Sequence, residues 1–447
     1  MKRQILIIVM LLAAVVIRAQ YQLDTIHYAG DSKCFIDIVY LGDGFTADEL
    51  DNFVEFAEAQ TAQFFDKTPW QQYKEMFNVF YVKTASNVSG AGMTPDAPVD
   101  NFYGVCFGTS GVDRMPWPTK WNKVFEVLNA VKPDYDMVVI VVNSDKYGGA
   151  GGGQFICFTL NENSIETLRH ESGHSLGDLA DEYWYRGREA ANMTQVINPV
   201  KWERWIGENE VGTYRYSENE KEEAYSWYRP HQDCLMQYLY REYCPVCCEA
   251  LIEKIHESTK NIISYAPEEG TINLNSETVP FSLNLLKPEP NTLKVDWLLD
   301  GQQVAHNQEQ FLLQSGMVDA GEHELMAIIE DTTLLVRTVD HTTLHATTVA
   351  WNIIANGEVG IASLAVSTNE FRITPLPFGS ELTFSNKQPK QIETRLELYN
   401  AVGMLMASGT FHDDANCSLQ TSHLPSGTYL LCVFQRNKLI YKQKIMK

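Results

Sequence analysis

NSIETLRHESGHSLGDLADEYWY, Asn163 to Tyr185, is the stretch from which both the fold of the first half and its chemistry are read. Asn163 followed three residues later by Glu166 resembles a capping box, in which a side-chain oxygen and a carboxylate satisfy orphan N–H groups. A helix is therefore expected to start there. Ile165, Leu168 and Leu176 can line its buried side. His170 and His174 fall one turn apart on another face, where two imidazoles can reach a single ion. Zn2+ favours such nitrogen ligands, and Glu171, adjacent to the first of them, can accept a proton from an attacking water. With 11 His in the chain, an H-E-x-x-H string would arise by chance only about 0.02 times.

A catalytic zinc takes three protein ligands and keeps a fourth position open. Gly177 falls where the helix should end and permits the backbone to turn back toward the metal. Beyond it, Asp178, Asp181 and Glu182 all offer oxygen. Asp178 follows the glycine too closely for an easy return, whereas Asp181 and Glu182 come after a full turn of chain. Asp181 is the favoured third ligand. Glu182 is the alternative, or a carboxylate standing behind the ligands.

On the N-terminal side, FIDIVYLG (Phe35 to Gly42) is a β-branched and aromatic run that ends in Gly-Asp-Gly, a buried strand followed by a turn. Ala47 to Phe65 is acidic and amphipathic and suits a surface helix ending before Pro69. FNVFYVKT (Phe77 to Thr84) reads as a second strand. MVVIVVN (Met137 to Asn143) is apolar on both faces, as a central strand of a mixed sheet would be. Strand and helix signals alternate, so this half is α/β in character. YGGAGGGQF (Tyr147 to Phe155) is followed by no GK[ST] and opens no GxGxxG helix, so it is not a phosphate loop. It suits a place where another backbone passes closely.

On the C-terminal side, four of the nine Cys cluster at Cys234, Cys244, Cys247 and Cys248. A single CxxC without a matching pair is a weak sign of structural zinc, so local disulfides are expected there. From Asn261 the pattern becomes short alternating strands. In LKVDWLLDGQQV (Leu293 to Val304), Asp300-Gly301 suits a hairpin turn and Trp297 an inward position, which points to an antiparallel sandwich of immunoglobulin type. Thr368 to Lys447 repeats the strand-and-turn rhythm as a third β unit.

The formal net charge of -22 excludes nucleic acid as a partner, since phosphates would be repelled. Lys2 and Arg3, an apolar run from Ile5 to Ile17 and a small Ala19 read as an export signal. That run is too short to span a bilayer comfortably, and no later stretch approaches membrane length.

Taken with YLGDGFT (Tyr40 to Thr46), FNVFYV, YGGAGG, HESGHSLGDLADEY (His170 to Tyr183), and CLM and CPVC (Cys234 to Met236, Cys244 to Cys247), the chain from about Val39 to Glu253 resembles the M64 peptidases, the IgA-peptidase family of metzincin-like enzymes. Metzincins usually read HExxHxxGxxH, and the third His would coincide with Ala180, which cannot bind metal. The DEY ending resembles the family's own and carries the third-ligand role to Asp181. The resemblance further implies a methionine turn at Met236 beneath the zinc and a tyrosine, Tyr238, that stabilises the oxyanion. It makes YGGAGGGQF the edge strand whose backbone pairs with an extended substrate. LELYNAVGMLMASGTF (Leu396 to Phe411), LPSGTYLL (Leu424 to Leu431) and the closing KIMK resemble the C-terminal sorting domain of the type IX secretion system, although ITPLPFGSEL (Ile373 to Leu382) departs from the usual Pro-Asn-Pro opening.

The expected layout is a signal peptide over 1–19, an N-terminal subdomain of M64 type over 20–130 and a zinc peptidase subdomain over 131–258. An immunoglobulin-like sandwich over 259–358 and a β-sandwich sorting domain over 366–447 follow. The expected function is that of a secreted Zn2+-dependent endopeptidase acting on host or environmental proteins, immunoglobulin A or other glycoproteins among them. Its expected partners are the protein or peptide substrate and, through the last domain, the secretion machinery. The rival reading is a surface adhesion or glycan-binding protein with a structural or vestigial zinc site, motivated by the β domains. Glu171 opposes it, because a structural site has no use for a base.

Overall fold

The computed structural model describes residues 21–268, 270–274, 278–355, 371–386, 392–400, 404–412, 416–436 and 438–447. The export signal expected over 1–19 lies outside the described residues. The described residues fall into two compact units, one drawn from Met1–Gly270, Pro280–Phe311 and Glu324–Trp351, the other from Thr271–Val279, Leu312–His323 and Asn352–Lys447.

The first unit is organised by a six-stranded mixed sheet. Its strands are β1 (Leu23–His27), β2 (Ile36–Asp43), β3 (Phe77–Val82), β4 (Met137–Val142), β5 (Gly149–Gly152) and β6 (Phe155–Thr159), in the spatial order β1-β3-β2-β4-β6-β5. β3, β2, β4 and β6 run parallel, and the edge strands β1 and β5 are antiparallel to their neighbours. Every residue of β2 and β4 is buried, as strands covered on both faces require. Alternation along the strands feeds two cores: Ile38, Tyr40, Val139 and Val141 belong to one, Val39, Leu41, Val138 and Ile140 to the other.

Four helices accompany the sheet: α1 (Leu50–Phe64), α2 (Trp121–Val131), α3 (Ser164–Ser175) and α4 (Pro245–Ser258). α2 covers the second core through Val124, Val127 and Leu128. The first core is closed by Phe53, Ala57 and Phe64 of α1, Leu168 of α3 and Leu251, Ile252 and Ile255 of α4. α3 starts at Ser164, where the sequence put it, but Asn163 makes no side-chain cap hydrogen bond. The capping box is not formed, because Glu166 is drawn elsewhere: it accepts from Arg169 Nη1 at 2.7 Å and from the Tyr240 backbone N–H at 3.2 Å.

Beyond α4 the first unit continues in strands. Leu293–Leu299 and Gln302–His306 form a hairpin whose two-residue turn is Asp300-Gly301, and both turn residues have positive φ, 51° and 76°, the requirement of a type I′ turn. Leu293–Leu299 also pairs with Leu325 to Asp331, and Ser282 to Leu285 with Ile262–Ala266. Trp297 is wholly buried and stacks on Trp351 at 5.7 Å. The second unit is all β among its described strands. One sheet has the order Phe371–Thr374, Glu381–Asn386, Asn416–Gln420, and another Leu405–Phe411, Thr394–Asn400, Thr428–Gln435, Lys438–Met446. Leu382, Phe384, Leu396, Leu398, Leu431 and Val433 fill its core. The fold is thus mixed α/β followed by β-rich segments. Among the described residues no helix is long and apolar enough to cross a membrane.

Candidate metal centre

α3 lies directly across edge strand β5, and the glycines of that strand make this possible. A Cβ at Gly149 would meet Thr167 Cγ2 at 2.2 Å, and one at Gly151 would meet Glu171 Oε2 at 2.6 Å. Both are closer than atoms approach without displacing one another, so the glycine run is where a helix seats on a strand. Ser175 Oγ ties the end of the helix to the same segment by donating to the Gly153 carbonyl at 2.7 Å. The Glu171 carboxylate consequently stands against the backbone of β5.

His170 and His174 turn their rings toward each other, with centroids 5.0 Å apart. Asp181 Oδ1 sits between them, 3.2 Å from His170 Nε2 and 3.1 Å from His174 Nε2. Two donors about 2.0–2.1 Å from a tetrahedral zinc are about 3.3 Å from each other. The separations observed fit that edge. Each Nδ1 is engaged by a backbone carbonyl, Leu235 O at 3.0 Å for His170 and Leu179 O at 2.7 Å for His174. With its proton on Nδ1, each ring presents the Nε2 lone pair inward, the orientation second-layer contacts commonly impose on ligand histidines. The donor chemistry and the spacing both fit Zn2+.

The Asp181 and Glu171 carboxylates beside the imidazoles favour a cation. Burial opposes charge on His170, but the hydrogen bond to Asp181 and the nearby Glu171 carboxylate outweigh it and lift the ring to about 9, so a proton competes with a metal ion for Nε2. Burial opposes charge on Asp181 too, yet the two imidazoles hold its carboxyl well below the usual range. The side chains of His174 and Asp181 keep 21% and 16% of their surface open, so the donors remain reachable from solvent.

The segment Cys234 to Met236 forms the floor. Leu235 orients His170 as described, and Met236 O accepts the Glu182 N–H at 2.7 Å. Met236 is fully buried, and a Cβ added to Gly173 of α3 would lie 2.6 Å from its sulfur. One short segment therefore touches the first imidazole, the helix between the imidazoles and the loop of the third donor.

The remaining sequence candidates fall elsewhere. Asp178 pairs with Arg188 at 2.8 Å. It is Asp178, with φ 49°, and not Gly177 that adopts the left-handed conformation after the helix. Gly177 is needed for packing, since a Cβ there would lie 2.7 Å from Leu251 Cδ2. Glu182 is wholly buried and turns away from the imidazoles toward Cys244 and Cys247. Those cysteines, with Cys234 and Cys248, are thiols and not disulfides. Tyr238 is 53% exposed, and its hydroxyl makes no hydrogen bond to His170, His174 or Asp181 among the described residues. The sequence reading overlooked Tyr183, whose ring stacks on His170 at 6.4 Å and whose hydroxyl is pushed up by burial and by Asp181. It also overlooked Tyr216, which donates to the Asp181 carbonyl at 2.8 Å, and Asn192, which brackets Ala180 through both its N–H and its carbonyl. Only the position of Tyr183 beside Asp181 and Glu182 could have drawn notice to it.

Residues 25–206 match the family model described as IgA Peptidase M64, and residues 372–447 match that of the secretion system C-terminal sorting domain. The two resemblances drawn from the motifs hold over those stretches. No curated protein matches the chain. Among solved structures, the fibronectin(III)-like modules of Clostridium thermocellum CbhA share 16% identity over 21% of this chain and 96% of theirs, with a TM-score of 0.15. SGBP-B of the Bacteroides ovatus mixed-linkage glucan utilization locus shares 13% over 41% of this chain and 46% of its own, with a TM-score of 0.18. Latent PorU from Porphyromonas gingivalis shares 13% over 41% of this chain and 20% of its own, with a TM-score of 0.16. Likeness at that level carries no argument about function.

Proposed function

We propose that the chain is an exported zinc-dependent endopeptidase of metzincin-like architecture, carrying an immunoglobulin-like β-sandwich after the catalytic region and a type IX sorting domain at its end. The observation that carries this reading is the convergence of His170 Nε2, His174 Nε2 and Asp181 Oδ1 at tetrahedral-edge spacing with Glu171 one residue from the first donor. The matches to a peptidase family and to a secretion domain support it.

His170, His174 and Asp181 would hold the metal, and Zn2+ there would supply a Lewis acid for the scissile carbonyl and the attacking water. β5 is the last strand of its sheet, so its free edge can pair with an extended peptide and lay the scissile bond over the Glu171 carboxylate. Glu171 accepts the proton of the attacking water and passes it to the leaving amine nitrogen. Tyr238, with an exposed hydroxyl two residues beyond Met236, donates to the developing oxyanion. Leu235 and Leu179 keep the imidazoles in register through their carbonyls, and Met236 supports the helix from below. The substrates are host or environmental proteins, with immunoglobulin A or other glycoproteins among the candidates.

The test is hydrolysis of a mixed peptide library by the full chain before and after treatment with a chelator. Cleavage that disappears with the chelator and returns with added zinc is the expected result. Cleavage that persists in thoroughly chelated protein, or none in the zinc-loaded protein, overturns the reading.

A further inference from the structure

Directly behind the imidazoles lies a second group of metal-ligating side chains that hydrolysis does not use. Glu182, Cys234, Cys244 and Cys247 each direct one ligand atom to a common point, with all four atoms within 4.8 Å of one another. All four residues are buried, none more than 3% exposed. Cys234 Sγ is 3.8 Å from Cys247 Sγ, and Glu182 Oε1 is 3.2 Å from Cys247 Sγ and 3.8 Å from Cys244 Sγ. Around a tetrahedral zinc with Zn–S of about 2.3 Å and Zn–O of about 2.0 Å, sulfurs are about 3.7 Å apart and a sulfur and an oxygen about 3.5 Å apart. The observed separations straddle those values. An independent feature points the same way: Glu182 Oε2 is buried with no hydrogen-bond partner, although buried carboxylate oxygens are almost always engaged.

We propose that Glu182, Cys234, Cys244 and Cys247 form a closed structural Zn2+ site. Backbone groups face the sulfurs. The Cys244 N–H donates to Cys234 Sγ at 3.3 Å, and Cys244 is the N-cap residue of α4, with Cys247 in its first turn, where the helix dipole favours negative charge. The sequence alone gave this cluster little weight as a metal site, because CPVC lacks a second CxxC. The missing half is supplied by Cys234 and Glu182 from distant segments. A Cys234–Cys247 disulfide is the chemical rival in an exported protein. It would leave the Cys244 thiol unused and Glu182 Oε2 enclosed without a partner, a buried polar atom whose lost hydrogen bonding costs free energy. One divalent cation satisfies all four groups.

The site would staple three pieces of chain: the loop that carries Asp181 next to Glu182, the segment that carries Met236 next to Cys234, and the start of α4. Three of its four ligands lie beyond residues 25–206, the stretch matched by the peptidase family model. The inference rests on these four residues and stands whether or not the chain cleaves peptides.

The experiment is zinc analysis of the full chain purified without chelator, together with Co2+ substitution. About two zinc ions per wild-type chain and about one per His170→Ala/His174→Ala chain are expected. Cys247→Ser is expected to lose the retained ion. Cobalt-loaded wild type and the His double variant should both show thiolate-to-cobalt charge-transfer absorption, which a site of two imidazoles and a carboxylate cannot produce. Absence of that absorption in wild type overturns the proposal, even if Cys247→Ser fails to fold. A denatured, unreduced wild-type chain that is alkylated at seven of its nine cysteines, with Cys234 and Cys247 the unmodified pair, also overturns it, in favour of the disulfide.

Discussion

Gly151→Ala is the substitution whose effect can be worked most directly from the site. The added Cβ would stand 2.6 Å from Glu171 Oε2, about 0.8 Å inside ordinary van der Waals contact. The obstructed atom is the end of a side chain that can swing, and Gly151 is itself exposed. Folding should therefore be spared, with a change in unfolding free energy within about 0.5 kcal/mol. The carboxylate cannot stay where it is. A misplacement of about 1 Å can cost on the order of 10²-fold in rate, so kcat for a peptide substrate should fall about 10- to 100-fold. Bound zinc should be unchanged, because none of its donors touches Gly151. The assay is steady-state cleavage of a reporter peptide beside zinc analysis and thermal unfolding of the same preparation. Wild-type kcat in a folded variant refutes the placement of the base against β5, and so does a loss of activity that merely tracks a loss of zinc.

Tyr238→Phe should keep zinc and lower kcat by about 10²-fold if its hydroxyl serves the oxyanion. Tyr183→Phe, which leaves the ring stacked on His170, should cost less than about tenfold, and the reverse order in parallel kinetics would transfer the role to Tyr183. Asp331 is buried and bonded to His256 at 2.9 Å, Thr292 at 2.6 Å and Tyr73 at 2.8 Å. Asp331→Ala should destabilise the chain by about 3–5 kcal/mol in denaturant titration, and a loss under about 1 kcal/mol would contradict that. Burial opposes ionisation of Asp331, but the bonds with His256, Thr292 and Tyr73 outweigh it and hold its carboxyl below the ordinary 3.8. Its contribution is therefore full above about pH 4 and is lost as pH falls through the lowered value. Wild type should lose more stability than Asp331→Asn between pH 5 and pH 2. Trp297→Ala, removing a fully buried ring, should cost about 3–5 kcal/mol, read by the same titration.

What could be read from the sequence was what short-range periodicity encodes. The apolar runs at Ile36–Asp43 and Met137–Val142 became buried strands, and the H-E-x-x-H spacing brought both imidazoles to one face because four residues make about one helical turn. Asp300-Gly301 became a hairpin turn because few other dipeptides tolerate two positive φ angles. The glycine run announced a close approach without naming the partner, which proved to be α3. What stayed hidden depends on contacts between distant segments. Glu166 abandoned its capping role for Arg169, which in turn reaches Asp66 and the Gln63 carbonyl. Asp181 and Glu182 are neighbours in an irregular loop. Only tertiary packing decides that the first faces the imidazoles and the second the thiols. No local pattern joins Glu182 to Cys234 and CPVC.

The most direct measurement compares Glu171→Gln with wild type for bound zinc and for peptide hydrolysis in one preparation. The expected result is undiminished zinc with turnover reduced by about 10²- to 10⁴-fold, the share a positioned base contributes. Turnover at the wild-type rate by the zinc-loaded variant would contradict the assignment of Glu171, and with it the hydrolytic mechanism built around α3.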